Sequence, residues 1–382
     1  MGKFTCPYCY AEHDITDCGL KCSYNIIGKT DKKCKFDIKK YDDDYGYDWI
    51  PKAHIKKCID CKEAAQQLFC YEVNKEIPIE FLSMKSLPIA LLGAKASGKS
   101  NYIGVLINEV RKKMAGPFNC SLSMTCSQES KQAYDDLYYR RLYEGGLTVE
   151  ATDAGKAGME KVPPLIFPLR FIDTKNKIVN MAALTFYDTA GENLDDKNVM
   201  HKFNRYITNA HGIILLLDPL QVPNIRNKLS ANGFNALPKQ NTEIYNVLSI
   251  IIDVIRSVKN IKGQIQIPLA LAFTKIDVLE QYNILPQDSC LREESEHIKR
   301  GAFIKPDFEN TNIQMQDLID NWLDDDLIRL IQQFKQHSFF GVTSLGSNPA
   351  GSKLVNGVNP RRVLDPLLWL LAENKYIKTL KE

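Results

Sequence analysis

The apolar run Leu87-Pro88-Ile89-Ala90-Leu91-Leu92 leads directly into Gly93-Ala94-Lys95-Ala96-Ser97-Gly98-Lys99-Ser100. Beyond it, Tyr102, Val105, Leu106 and Val110 recur at helical spacing. The run has the length and composition of a buried parallel strand. The octapeptide matches G-x-x-x-x-G-K-[ST] at each fixed position, in the strand–loop–helix setting where that pattern has a mechanism. Its glycines let backbone N–H groups wrap an anion, and the helix N-terminus adds a partial positive charge. Lys99 can reach the β- and γ-phosphates of a nucleotide, and the Ser100 hydroxyl can ligate Mg²⁺. Residues Gly93, Ala94, Lys95, Ala96, Ser97, Gly98, Lys99, Ser100 and Asn101 are therefore expected to cradle phosphates.

Two later segments bear on which nucleotide is held. Asn180–Tyr187 reads as a strand ending in Asp188-Thr189-Ala190-Gly191-Glu192. An aspartate placed there can hold Mg²⁺ through water, and the Gly191 N–H can meet a γ-phosphate. Ile267–Phe273 reads as a further strand, ending in Thr274-Lys275-Ile276-Asp277. The Asp277 carboxylate can accept both the ring N–H and the exocyclic amine of guanine, a donor pair that adenine lacks. Lys275 can lay its stem along the base.

The front of the chain is different in kind. Of eleven cysteines, eight (Cys6, Cys9, Cys18, Cys22, Cys34, Cys58, Cys61, Cys70) precede residue 71. So small a segment with few Leu, Ile and Val cannot bury much core, and it needs a staple. Zinc supplies one through four thiolate-type ligands. Cys6-Pro7-Tyr8-Cys9 and Cys58-Ile59-Asp60-Cys61 have the two-residue spacing of ligand pairs. Cys22 and Cys34 can complete the first set, with Cys18 as a competitor. Cys70 is available to the second, where Val73 occupies the position of a further C-x-x-C cysteine and His54 is the nearest substitute. The boundary falls after residue 83, giving a cysteine-rich zinc-ribbon-like module (1–83) and a nucleotide domain with insertions (84–382).

These motifs resemble those of TRAFAC-class P-loop GTPases. Gly93–Ser100 matches the phosphate loop, Asp188–Gly191 the switch II motif and Thr274–Asp277 the guanine motif. Phe339–Thr343 followed by Ser344-Leu345-Gly346 resembles the last, looser guanine contact. Together they span about residues 86–382. A closer resemblance, to bacterial double-GTPase-type proteins of conflict and anti-phage systems, rests on Cys6–Cys9, Leu68-Phe69-Cys70, Glu76-Ile77-Pro78, Gly212–Pro219 and Arg362–Leu371. It implies a ribbon of paired cysteines ahead of a Ras-like, mostly parallel α/β sheet flanked by helices. It also implies bound GTP or GDP, Mg²⁺ and Zn²⁺, hydrolysis of GTP as a molecular switch, and a role in a defence system. The expected Mg²⁺ ligands are Ser100, Thr152 and Asp188, with Thr148 the other candidate for the switch I threonine. Glu192 stands where Ras-like enzymes carry a water-positioning glutamine; its role is open between orienting water and facing solvent. The alternative is a nucleotide-regulated protein-binding module with negligible hydrolysis.

Composition excludes some classes. The net charge of +3 gives no basic excess for nucleic acid. Residues 1–85 hold 14 lysines against 14 acidic residues, and no arginine. No run approaches the ~18 apolar residues of a spanning helix, and the first residues lack the apolar core of a secretion signal. A cytoplasmic chain is expected, with guanine nucleotide and a protein as its partners: another GTPase, an effector or a second copy. Leu165–Ile172 and Ile178–Tyr187 should form an antiparallel edge hairpin. Helices are expected over Thr242–Val258, Asn321–Gln333 and Pro360–Asn374.

Overall fold

The computed structural model describes residues 4–13, 18–22, 39–40, 56–57, 64–70, 72–73, 75–77, 85–94, 97–124, 128–150, 164–175, 177–186, 197–234, 237–239 and 243–381. The strand ahead of the glycine loop is β1 (Lys85–Gly93). Six more complete its sheet: β2 (Cys120–Leu122), β3 (Leu165–Ile172), β4 (Ile178–Phe186), β5 (Gly212–Leu217), β6 (Leu269–Phe273) and β7 (His337–Gly341). In space the order is β7-β6-β5-β1-β4-β3-β2. Strands β7, β6, β5, β1 and β4 are mutually parallel, whereas β3 is antiparallel to both of its neighbours. The expected edge hairpin is β3–β4, paired from Leu165↔Phe186 to Ile172↔Ile178. The fold is thus a mixed α/β sheet with helices on its faces, in line with the expected class.

Strict alternation divides the apolar strands between two cores. On one face Leu87, Ile89 and Leu91 of β1 join Ile214 and Leu216 of β5, Ala270 and Ala272 of β6, and helices α1 (Lys99–Glu109) and α6 (Asp365–Glu373). On the other, Ala90 and Leu92 join Ile213, Leu215, Leu217, Leu269, Leu271 and Phe273. That face is covered by α2 (Lys197–Thr208), α3 (Glu243–Lys259), α4 (Lys305–Trp322) and α5 (Asp325–Ile331). Burying both faces is what a run such as Gly212–Leu217, buried at all six positions, requires.

The apolar pattern over Asn321–Gln333 predicts one amphipathic helix, but the structure divides it between α4 and α5. Asp324 is the cause: its Oδ1 accepts the Leu327 N–H at 2.9 Å and caps a new helix. Trp322, Leu327 and Ile331 remain core residues.

At the front, Phe4–Thr5 pairs with Glu12–His13 as a tight hairpin, closed by the Cys6 N–H on the Ala11 carbonyl and the Tyr10 N–H on that of Cys6. A small antiparallel sheet joins Cys18–Cys22 to Ala64–Cys70, with Lys39–Lys40, Lys56–Lys57 and Lys75–Ile77 beside them. No helix among the described residues is long and apolar enough to cross a membrane.

Candidate functional site

Four loops meet at the carboxyl ends of parallel strands, where open α/β sheets form their ligand crevices. The first is the glycine loop. Gly98 sits at φ 86° as the residue before α1, and no side chain caps that helix. Its first N–H groups therefore face the crevice with a positive dipole end. Gly93 is required by space: a Cβ there would lie 2.5 Å from Ser97 Oγ and 3.0 Å from the Leu216 carbonyl oxygen. Ser97 Oγ is buried without a hydrogen-bond partner among the described residues, so its hydroxyl has a proton to offer an anion in the loop. Lys99, Ser100 and Asn101 form the first turn of α1, half-buried. Asn101 accepts the Val149 N–H at 2.9 Å, tying α1 to the segment around Thr148. Lys95 and Ala96 lie outside the described residues, as do Thr152, Asp188, Gly191 and Glu192.

The second and third loops are bonded to the first. Thr274 donates its hydroxyl to the Ser97 carbonyl at 3.0 Å and its N–H to the Leu217 carbonyl at 2.9 Å. Lys275, in the left-handed region at φ 55°, places Nζ 2.6 Å from Asp218 Oδ2. Asp218, at the end of β5, was not among the residues expected from sequence. Its position directly after an apolar strand, like those of Asp188 and Thr274, is the signal that could have found it. Asp277 lies beyond, where its N–H donates to Thr343 Oγ1 at 3.2 Å. Burial pushes its carboxyl above the usual range, offset in part by backbone N–H, the Thr343 hydroxyl and the charge of Arg361.

The fourth loop follows β7. Ser344 is buried, and the Leu345 carbonyl accepts the Asn359 N–H at 2.9 Å. Asp277, Thr343 and Gly346 line a cavity of about 760 Å³ together with Glu280 and Arg361, which pair across it at 2.5 Å. The loops thus place the N-terminal end of α1 and Lys99 beside Thr274, and a desolvated carboxylate in the cavity beyond it. The first can meet an anion and the second a hydrogen-bond donor.

The cysteine ligands regroup relative to their sequence spacing. Cys6, Cys9, His13 and Cys70 bring their donor atoms within 4.8 Å of one another. Cys70, assigned from sequence to the second pair, stands with the first, because Ala64–Cys70 is drawn back into the small sheet beside Cys18–Cys22. His13 was not anticipated, although Cys6-x-x-Cys9-x-x-x-His13 is a ligand-like spacing. Cys9 Sγ lies 3.8 Å from Cys70 Sγ and 3.0 Å from His13 Nε2, and Cys70 Sγ lies 3.7 Å from His13 Nε2. Bonds of about 2.3 Å to a tetrahedral zinc place two sulfurs about 3.8 Å apart, so the donor set fits that ion. Hydrogen bonds from Cys6 and Cys9 hold the Cys70 thiol far below its ordinary range. Contacts with Cys70 and Cys9 push His13 up to about 10. The side chain of Cys22 and the positions of Cys34, Cys58 and Cys61 lie outside the described residues.

No protein-family profile matches the chain. A curated protein of Mycolicibacterium smegmatis (strain ATCC 700084 / mc(2)155), named provisionally as the ESX-1 scaffolding and assembly protein SaeC, is 24% identical over 300 residues. The match covers 74% of this chain and 73% of that one. Among solved structures, the GTP-bound GTPase-like domain of S. cerevisiae Ski7 is 13% identical with a TM-score of 0.32. It matches over 76% of this chain and 50% of its own length, so the chain spans half of it. The Arl6 (BBS3) small GTPase of Trypanosoma brucei with bound GppNp is 12% identical with a TM-score of 0.29, over 77% of this chain and 100% of its own.

Proposed function

We propose that the chain binds GTP and GDP with Mg²⁺ and hydrolyses GTP as a molecular switch, with its nucleotide domain in residues 84–382 behind a cysteine-rich module in residues 1–83. The observation that supports this is the Thr274 hydroxyl on the Ser97 carbonyl at 3.0 Å, a bond between the loop proposed to hold phosphates and the loop proposed to read the base. In this reading Gly93–Asn101 hold the phosphates, and Lys99 neutralises the β- and γ-oxygens. Asp277 reads the guanine edge, with Thr274, Lys275, Ser344 and Leu345 around the ring. Ser100 and Thr152 would ligate Mg²⁺, with Asp188 behind water; when bound, the ion would offset the charge of the phosphates. Water attacks the γ-phosphorus in line as the bond to the β–γ bridging oxygen breaks, releasing GDP and inorganic phosphate, with the Gly191 N–H on a γ-oxygen and Glu192 orienting the water. Cys6, Cys9, His13 and Cys70 would hold Zn²⁺ as a structural ion.

Lys99→Ala tests the phosphate end: the variant should lose GTP binding by calorimetry while its circular dichroism spectrum is retained. GTP binding at wild-type strength would contradict the assignment. A second reading, a nucleotide-regulated binding module with negligible turnover, is supported by the likeness to a protein named for scaffolding and assembly. Steady phosphate release by the purified chain with Mg²⁺ favours the enzyme, whereas binding without release favours the module. The protein partner, be it another GTPase, an effector or a second copy, and the place in a bacterial defence system are proposals resting on the sequence resemblance.

A further inference from the structure

We infer that the Cys/His cluster is a metal-held brace on the nucleotide site, so that occupancy by a zinc-class ion and binding of nucleotide strengthen one another. The inference rests on the nucleotide reading above and adds a regulatory input to that same site.

Both halves of the cluster touch α2. From the first half, Tyr10 follows Cys9 directly, adopts φ 59° and packs its ring 4.8 Å from that of Tyr206. The Tyr10 carbonyl accepts Asn209 Nδ2 at 2.7 Å, just past the end of α2. From the second half, Glu72, two residues beyond Cys70, pairs with Arg205 of α2. The cluster's sulfurs are buried together with Ile166 of β3 and Ala183 of β4.

Tyr206 carries these contacts inward. Pairing of β1 with β4 extends through Pro88↔Thr185. Past that point the Tyr206 hydroxyl donates to the Ile89 carbonyl at 2.8 Å and accepts the Leu91 N–H at 3.0 Å. It thereby replaces a strand partner on the last stretch of β1 before Gly93. In sequence, α2 also follows directly on Asp188–Glu192 and their flanking residues.

An ion drawing Cys70 onto Cys6, Cys9 and His13 fixes Tyr10 and Glu72 relative to each other, and with them two supports of α2. Without it the two halves, 57 residues apart at His13 and Cys70, are held by strand pairing and apolar packing rather than by a bond between their own side chains and a shared ion. When two ligands favour one arrangement of a shared element, each raises the affinity of the other by the same factor, commonly 5- to 150-fold.

The test uses the full-length protein in excess Mg²⁺. GTP affinity is measured for the zinc-loaded chain, for the chain treated with a zinc-selective chelator, and for Cys70→Ser, which removes this site alone. Bound zinc is counted in each by mass spectrometry. Zinc-loaded protein should bind GTP at least about fivefold more tightly than either depleted form. Cys70→Ser should carry one zinc fewer than wild type. The double variant Glu72→Gln/Asn209→Ala keeps every Cys and His ligand and every nucleotide contact. It should retain full zinc content while the chelator changes its GTP affinity by a smaller factor than in wild type, the Tyr10–Tyr206 contact being kept, which separates coupling from loss of fold. Unchanged GTP affinity in Cys70→Ser, an unchanged zinc count in that variant, or full coupling in the double variant would each overturn the brace. Failure of zinc-loaded wild type to bind GTP is a different result, since it overturns the nucleotide reading itself.

Discussion

Asp277 is a carboxylate held where its charge is disfavoured. Desolvation is the largest influence on it and pushes its pKa above the ordinary carboxylate value. A group whose folded pKa is raised contributes stability that is fully present below its unfolded pKa and lost as pH rises through the folded value. At neutral pH the nucleotide-free chain therefore carries a cost at this residue, one that two N–H donors from a guanine ring would offset. Asp277→Asn should accordingly raise the melting temperature of the nucleotide-free protein at pH 7, with a smaller gain at pH 4, and lose the stabilisation that GTP gives wild type. Thermal melts at both pH values with and without GTP check this, and an unaltered response to GTP would remove Asp277 from the base site. Arg362 shows the opposite arrangement. Its guanidinium, 4% exposed as a residue, bonds Asp307 at 2.9 and 3.1 Å and Asp365 at 2.8 Å. Removing one partner of a buried ion pair leaves uncompensated charge and costs about 3–5 kcal/mol. Arg362→Met should lower unfolding stability by about that amount in urea titration, since two carboxylates lose their counter-charge.

Among elements, legibility followed how local the determining interaction is. The strand β1, the glycine loop and α1 were readable because strand hydrophobicity, glycine conformation and helix start all lie within Lys85–Glu109. The β3–β4 hairpin was readable for the same reason, with a short polar turn between two largely apolar runs. The division of the Asn321–Gln333 helix was not, because apolar spacing continues across a cap that only the side-chain bond of Asp324 reveals. Asp324→Ala should cost about 1 kcal/mol by loss of the cap, with the fold kept. Chemical denaturation would show it, and a loss below ~0.3 kcal/mol would mean that packing of Leu327 and Ile331 alone sets the break. In the site, the Lys275–Asp218 pair was hidden because it joins the ends of β5 and β6, 57 residues apart. The placement of Cys70 and His13 was hidden likewise: ligand spacing constrains near neighbours, whereas strand pairing decides which distant cysteine arrives. Tyr206 carries no motif at all, and its role follows only from β1 parting from β4.

For the molecule as a whole, one sheet serves two tasks. Its parallel strands deliver four loops to one end of the sheet, where the N-terminal end of α1 and the loop of Asp277 are held by bonds between loops. One of its faces receives the cysteine module through Tyr10, Ile166 and Ala183. The arrangement places the cysteine-rich front end beside the strand that leads into the glycine loop. What these loops bind can be measured directly. The most direct measurement is Mg²⁺-dependent binding of GTP, GDP and ATP to the purified chain, side by side by calorimetry. A site built around a donor pair rejects a ring that lacks it by large factors. GTP and GDP should therefore bind at least about 100-fold more tightly than ATP. ATP binding as tight as that of GTP, or tighter, would contradict the account.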